Sequence, residues 1–141
     1  MNIRSFILST TAAIAVATAV PAAAHKIDET VTPNFEQAIP NIPGKSVKAV
    51  VVDYPPDGGS LPHIHAESAF IYAYVLEGEI ESKVNDEPTK VYQAGENFYE
   101  TPGSRHLVSR NASKTKPAKL LAVFIVDTND KELTTYQGSK E

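Results

Sequence analysis

Short runs of β-branched and aromatic residues, separated by turns rich in Gly and Pro, recur through most of this chain. Residues 46–54 form the first such run, and the Pro-Pro-Asp-Gly-Gly segment at 55–59 ends it with strong turn chemistry. Further runs follow at close spacing, at 69–76, 80–84, 90–93, 97–100, 106–110 and 120–127. No stretch has a convincing helical period with caps. Closely spaced short strands are typical of a sandwich or a small barrel, so the sequence predicts an all-β fold.

The first 24 residues differ in composition from the rest of the chain. They begin with a positive residue, Arg4, continue as an apolar run of small residues, and end in three alanines at 22–24. This is the pattern of a secretory signal with an A-x-A cleavage site, and the run is too short and too broken by threonine to be a good membrane span. We therefore expect cleavage after Ala24, export to a periplasm or secretion, and no stable membrane anchor afterwards.

The rest of the chain is short enough to be one domain with a single modest core. We expect an extended, proline-containing N-terminal arm at 25–44, a β-barrel domain at 45–128 and a C-terminal tail at 129–141.

The charge and cysteine content exclude several classes of function. The chain has 13 basic and 17 acidic residues, a net charge of −4, and no block of positive charge. It therefore lacks the electrostatic footprint of a protein that binds nucleic acid or anionic lipid. The absence of cysteine excludes disulfides, thiolate catalysis and thiolate metal sites. A metal ion in this protein would have to use histidine and carboxylate ligands.

Three of the four histidines lie in or just after two Gly/Pro-rich turns. His63 and His65 are one residue apart, and because alternate side chains of an extended segment point to the same face, both imidazoles can aim at one point. His106 follows the second turn, at 102–103. Three imidazoles with at most one carboxylate suit a divalent transition metal, and Mn, Fe, Ni, Zn and Cu all remain open. The sequence thus predicts a metal site at these histidines.

The two histidine segments also carry a recognisable order of glycines and prolines. The first contains Gly58, His63-Ile64-His65 and Gly78, and the second contains Gly95, Pro102-Gly103, His106 and Asn111. This arrangement resembles the two-motif signature of the cupin superfamily. The resemblance implies a small single-domain cupin, built as a β-barrel or double-stranded jelly roll with the metal site inside. It also implies a homodimer, in which the arm at 26–43 is the natural segment to cross between subunits.

The chain departs from the cupin pattern at the metal-binding glutamate of the first motif. That position falls at 69–71, where the sequence has no carboxylate. Glu100, at the end of the strand that enters the turn before His106, is the favoured substitute. Glu67, two residues past His65, is the second candidate. A three-histidine site completed by water is chemically sound as well.

Candidates for contact with a substrate are Tyr72, Tyr74 and Arg105. In the strand at 69–76, Phe70, Tyr72, Tyr74 and Leu76 share one face, and Ile71, Ala73 and Val75 share the other. If the first face points inward, the pocket is aromatic with phenol donors; if the second does, the tyrosines cover the outer sheet or a dimer interface. Arg105 either fixes a carboxylate through a bidentate contact or lies at the rim of the pocket.

Two classes of function fit these residues. The first is a metal-dependent enzyme of lyase, isomerase or dioxygenase type that acts on a small organic molecule. The second is a non-catalytic domain that binds or senses a small ligand or a metal, because the sequence offers no obvious general base.

Overall fold

The computed structural model describes residues 26–137, which form twelve strands. In chain order these are β1 (Lys26–Ile27), β2 (Thr30–Ala38), β3 (Lys45–Tyr54), β4 (Gly58–Gly59), β5 (His63–His65), β6 (Phe70–Glu77), β7 (Glu79–Val84), β8 (Lys90–Gln93), β9 (Asn97–Glu100), β10 (Arg105–Asn111), β11 (Ala118–Asp127) and β12 (Thr134–Tyr136). Within this range no helix is long and apolar enough to cross a membrane. The predicted all-β fold is confirmed. The signal predicted at 1–24 lies outside the described residues.

The strands form two sheets. One has five strands in the order β2-β3-β11-β6-β9 and is antiparallel throughout. The other has seven strands: five follow the order β1-β4-β10-β5-β12, while β7 pairs with β10, and β8 pairs with β7. Its strand pairs are antiparallel except for the short pair of β1 with β4. The two sheets pack face to face, as expected of a jelly roll.

The core lies between the sheets and follows the two-residue period of the strands. In β11 the buried positions alternate strictly: Ala118, Leu120, Ala122, Phe124 and Val126. In β6 the buried set is Ile71, Ala73 and Val75. These residues pack against Ile80 and Phe98 near one end of the molecule and against Ala69 near the other. The inward face of β6 is therefore aliphatic, and the alternative with Tyr72 and Tyr74 pointing inward is wrong.

Both segments outside 45–128 contribute strands. In the arm, β2 pairs with β3 along Thr30–Ala38 and forms an edge of the five-stranded sheet. Its ladder shifts between Pro33 and Phe35, and such an irregularity at a proline is tolerated best on an edge strand. In the tail, β12 pairs with β5, so that Thr134 lies opposite His65 and Tyr136 opposite His63. The C-terminal end of the described chain thus pairs with the histidine strand, while the N-terminal β1 pairs with β4 just before it.

Candidate metal centre

Two paired strands bring the three predicted histidines together. His63 and His65 are the buried side chains of β5, and Ile64 between them is only half-buried. In the antiparallel pairing of β5 with β10, His106 lies directly opposite His63. One potential ligand atom from each of the three rings lies within 4.8 Å of the others. The group can therefore hold a metal ion, as the alternation of His63 and His65 predicts.

Glu100 joins this cluster from the opposite sheet. Its Oε2 lies 3.2 Å from Nε2 of His65, and its Oε1 lies 3.3 Å from Nδ1 of His106. Glu100 is only 3% exposed, so this carboxylate is shielded from water. Because Glu100 belongs to β9 in the five-stranded sheet, the cluster connects the two sheets across the core.

The other predicted carboxylate, Glu67, lies away from the cluster. Glu67 is exposed, and its carboxylate packs on the turn that contains Gly103. The φ of Gly103 is +69°, and a Cβ at this position would come within 2.6 Å of Glu67 Oε2. Glu67 is therefore placed to support the turn before His106, and it does not reach the histidines.

Hydrogen bonds to one nitrogen of His63 and of His106 orient the other nitrogen of each ring toward the cluster. His63 Nδ1 donates to the carbonyl of Leu61 at 2.7 Å, which leaves the Nε2 lone pair of His63 available. His106 Nε2 lies 2.9 Å from the hydroxyl of Ser82, so its Nδ1 is the nitrogen that faces Glu100. Partners of this kind fix the tautomer and the orientation of metal-ligating histidines.

His65 supplies the most direct sign of what the cluster can hold. Its Nε2 is buried and makes no hydrogen bond, although Glu100 Oε2 is 3.2 Å away. A buried polar atom without a partner is costly, and a cation between this nitrogen and the carboxylate would remove that cost. Adjacent ligands about 2.1 Å from an octahedral ion lie about 3 Å apart, close to the spacing of Glu100 from His65 and His106. The residues therefore fit a metal ion.

Burial and charge set the protonation states of the cluster. Burial, followed by the charge of His106, lowers the pKa of His63 to about 4, so His63 is neutral at neutral pH and can ligate. Burial alone would raise the pKa of Glu100, but the close polar contacts and charge of His106 and His65 outweigh it and hold that pKa well below its usual range. The centre thus combines a neutral imidazole with an ionised carboxylate.

The cluster forms one part of the wall of a cavity of about 400 Å³ between the sheets. The rest of the wall is largely apolar, with aliphatic and aromatic side chains from Val31, Val50, Val52, Ile71, Ala73, Leu120, Ala122, Phe124 and Leu133. A smaller set of polar side chains outside the cluster also lines it, from Glu29, Tyr54, Ser60, Ser109, Lys131, Glu132, Thr134 and Tyr136. An apolar cavity with a few grouped polar side chains is typical of a site for a small molecule.

Comparison with known protein families gives a match over most of the barrel. Residues 50–124, which contain all three histidines and Glu100, match the Cupin domain family. The chain belongs to the cupin family. The resemblance carried by the two histidine segments is thus confirmed.

Two further comparisons place this cupin among known proteins. It is 34% identical over 92 residues to germin-like protein subfamily 2 member 2 of Arabidopsis thaliana, a match that covers 62% of this chain and 41% of the relative. The chain therefore spans about two fifths of the length of that curated relative. An oxalate oxidase structure is 26% identical with a TM-score of 0.54, covering 71% of this chain and 55% of the other.

A third comparison concerns the fold alone. A double-stranded β-helix protein from Klebsiella pneumoniae aligns with a TM-score of 0.60 at 16% identity, covering 77% of this cupin and 84% of that chain. The two packed sheets are therefore a cupin jelly roll.

The three predicted substrate contacts lie outside the cavity of this cupin. Tyr72 is exposed on the outer face of β6, and Tyr74 is half-buried on that same face. Arg105 is exposed, and its guanidinium pairs with Asp86 at 3.4 Å on the surface. The side chains of β6 that do line the cavity are Ile71 and Ala73.

Several polar residues of the cavity are absent from the sequence prediction. Glu29 comes from the arm and Tyr136 from the tail, and the sequence carries no local signal that either residue lines the cavity. Tyr54 ends β3 and is bonded to the hydroxyls of Ser60 at 2.9 Å and Ser109 at 2.8 Å. Tyr54 lies at an inward position of the strand predicted at 46–54. Among these polar residues, it is the one whose place in the cavity is indicated by a sequence pattern.

Proposed function

We propose that this cupin is an exported, metal-dependent enzyme that acts on a small organic molecule. The observation that carries the proposal is the convergence of three imidazoles and one buried carboxylate on the wall of an apolar cavity of about 400 Å³. A cavity of this size suits a small molecule.

In this proposal His63, His65, His106 and Glu100 are the ligands of a divalent transition metal, with Mn, Fe, Ni, Zn and Cu as candidates. Such a metal would act as a Lewis acid toward an oxygen atom of the substrate. The imidazoles would donate to the metal, and the carboxylate would offset part of its charge. The apolar wall, which includes Phe124 beside His65 at a ring distance of 5.7 Å, limits the access of water to the bound molecule.

The relatives support this proposal and suggest a class of substrate. The chain is similar to an oxalate oxidase and to a germin-like protein, and oxalate is a small dicarboxylate. Small organic acids are therefore the first compounds to test. Lyase, isomerase and dioxygenase chemistry are all compatible with three histidines and one carboxylate.

Turnover by the metal-loaded protein tests the proposal. We expect metal-loaded wild type to convert a member of a panel of small organic acids, assayed with and without oxygen. We expect His106→Ala to lose this activity and Glu67→Ala, which changes a carboxylate outside the cluster, to keep it. Tight binding of an acid with no product from any compound would contradict the proposal and favour a binding or sensing domain instead.

Export is part of the same proposal and is supported by the pattern of residues 1–24. If these residues are a cleaved signal, then the mature protein begins at His25. Mass spectrometry of the protein from its native host, after separation of cytoplasm from exported material, measures both the N-terminus and the compartment. An intact N-terminus in the cytoplasm would contradict export.

We also propose a homodimer that forms through the outer face of the five-stranded sheet. Paired positions across this sheet make one continuous row: Phe35, Ala49, Val123, Tyr72 and Tyr99. Phe35, Tyr72 and Tyr99 are each more than 40% exposed, and Phe70 stacks on Tyr99 beside the row. An apolar surface of this kind is typical of an interface between subunits.

A further inference from the structure

Glu29 brings to the cavity a carboxylate that is separate from the metal cluster. It lies between β1 and β2, in the arm, and it lines the same cavity as the three histidines. The hydroxyl of Ser60 donates to its Oε2, and the hydroxyl of Tyr136 lies 3.5 Å from its Oε1. Glu29 makes none of the contacts of the metal cluster, so its position calls for a separate explanation.

The hydroxyl groups behind Glu29 form a chain with a defined direction. Because the hydrogen of Ser60 goes to Glu29, the Ser60 oxygen accepts from Tyr54 at 2.9 Å. The Tyr54 hydroxyl, with its own hydrogen committed, then accepts from Ser109 at 2.8 Å. All donors in this chain point toward Glu29. The carboxylate has more lone-pair sites than these hydroxyls use, so it can accept further hydrogen bonds from within the cavity.

The two glycines before the histidines position the arm that carries Glu29. A Cβ on Gly58 would lie 2.6 Å from the carbonyl oxygen of Asp28, and a Cβ on Gly59 would lie 2.7 Å from Cβ of Arg110. The amide of Asp28 donates to the carbonyl of Gly59 at 3.0 Å. The absence of a side chain at Gly58 lets the arm lie this close and sets the place of the residue that follows Asp28, while the absence of one at Gly59 lets β4 lie against β10.

Tyr136 links this second polar group to the metal cluster. Its ring centre lies 5.8 Å from that of His63, and its hydroxyl faces Glu29. The metal cluster and Glu29 thus line the same cavity, and Tyr136 contacts both His63 and Glu29. A molecule that fills the cavity would meet both.

We infer that Glu29 is a specificity-determining residue that accepts a hydrogen bond from the far end of the substrate. The ligand class is a short molecule with a carboxylate at one end, for the metal, and a hydroxyl or ammonium donor at the other. This inference rests on the proposed function, because it assumes a metal at His63, His65 and His106.

The inference is tested by comparing the binding of carboxylates that carry a hydrogen-bond donor at the far end of the chain with the binding of carboxylates that lack it. The probes are straight-chain carboxylates of three to five carbons, each compared with its terminal hydroxy and terminal amino derivative. Calorimetry measures their binding to protein loaded with Mn(II). The proteins are wild type, Glu29→Ala, Glu29→Gln and the control Glu36→Ala, which removes an exposed carboxylate from the same arm.

At one chain length we expect the terminal donor to raise affinity roughly tenfold or more in wild type and in Glu36→Ala, as for a hydrogen bond to a charged group. Both Glu29 variants should lose that gain while they still bind Mn(II) and the simple carboxylate. No gain at any length in wild type, or an equal gain in the Glu29 variants, would overturn the inference alone. If wild type does not bind Mn(II), the same series is measured with Fe, Ni, Zn and Cu, and failure to bind any of the five metals would overturn the proposed function and the inference with it.

Discussion

Glu100 is a carboxylate buried beside two imidazoles, and its environment is the reason we assign it to the metal centre. Removal of an ionised carboxylate from water is costly unless positive charge and hydrogen bonds compensate. Glu100 has His65 and His106 within 3.3 Å, and a metal ion among these three groups would add positive charge beside the buried carboxylate. Without such compensation, the buried position 100 on β9 would favour an apolar residue.

Glu100→Ala should therefore lower metal affinity strongly. We expect a loss of about a hundredfold or more, since even the outer partners of metal ligands are worth about ten- to a hundredfold. Competition with a chromophoric chelator measures the affinity. Glu67→Ala is the matched control, because Glu67 is exposed and packs on the turn at Gly103. Equal affinities of the two variants would contradict the assignment of Glu100.

Tyr54→Phe should destabilise the fold by roughly 1–3 kcal/mol, because it leaves the hydroxyls of Ser60 and Ser109 without their shared partner. Urea denaturation measures the free energy of unfolding. Tyr99→Phe, at an exposed tyrosine, should change it little.

The stability of the wild type should also fall as the pH rises from about 10 to about 12. Burial raises the pKa of Tyr54 to about 12 from the ordinary 10.0, so the unfolded chain releases this proton first. Between these values the folded state binds more protons than the unfolded state, and the free energy of unfolding decreases with pH. Tyr54→Phe should lose this part of the alkaline decrease. An unchanged alkaline decrease in the variant would contradict the assignment to Tyr54.

At the scale of strands, the pairing of β6 with β9 explains how Glu100 reaches the histidines. Ile71 on β6 lies directly opposite Glu100 on β9, and both side chains line the cavity. Position 71 is within the range where the cupin resemblance places a glutamate. The carboxylate thus enters the same region of the cavity from the neighbouring strand.

Exchange of these two residues tests that explanation. Glu100→Leu alone should lose metal binding, and the double variant Ile71→Glu with Glu100→Leu should regain a substantial part of it, because the new carboxylate starts from a paired position on the same face. Metal content after dialysis measures the outcome. Glu77→Gln, on the same strand but away from the cavity, should bind metal like wild type. A double variant that binds no better than Glu100→Leu would contradict the geometric equivalence of the two positions.

Most strands and the meeting of the histidines could be predicted from the sequence because they depend on local patterns. Lys90–Gln93 and Asn97–Glu100 agree with the predicted runs to the residue, and β3, β7, β10 and β11 differ only at their ends. The His-x-His alternation in a strand is enough to place His63 and His65 on one face. The position of Glu100, just before the turn that leads to His106, favours it over Glu67.

The remaining features depend on long-range pairing, which a local pattern does not encode. Both faces of β6 carry residues that suit a strand, so their composition did not decide between Ile71 and Tyr72 as inward side chains. Glu29 and Tyr136 reach the cavity only because β1 of the arm pairs with β4 and β12 of the tail pairs with β5. No residue near either of them signals those contacts in the sequence.

In the molecule as a whole, the five-stranded sheet has an inner face that builds the cavity and an outer face with an exposed aromatic row. Because the proposed dimer uses the outer face, the metal centre of each subunit lies on the far side of its own sheet. Dimer formation and metal binding should therefore be separable by mutation.

Tyr72→Lys should convert the dimer to a monomer, since it places a charge in the middle of the apolar row. Light scattering coupled to gel filtration measures the mass. Val91→Lys, at an exposed apolar residue on β8 in the other sheet, should remain dimeric. A wild type that is monomeric at all concentrations would contradict the proposed interface.

In the proposed metal centre, His63, His65, His106 and Glu100 together hold one metal ion. The most direct measurement is the metal content of purified protein that has been stripped with a chelator, reloaded with a single divalent metal and dialysed. We expect about one ion per chain and a higher melting temperature for wild type, and neither for the His63→Ala/His106→Ala double variant. A wild type that retains no ion with any of the five candidate metals, or a double variant that retains a full equivalent, would contradict the claim.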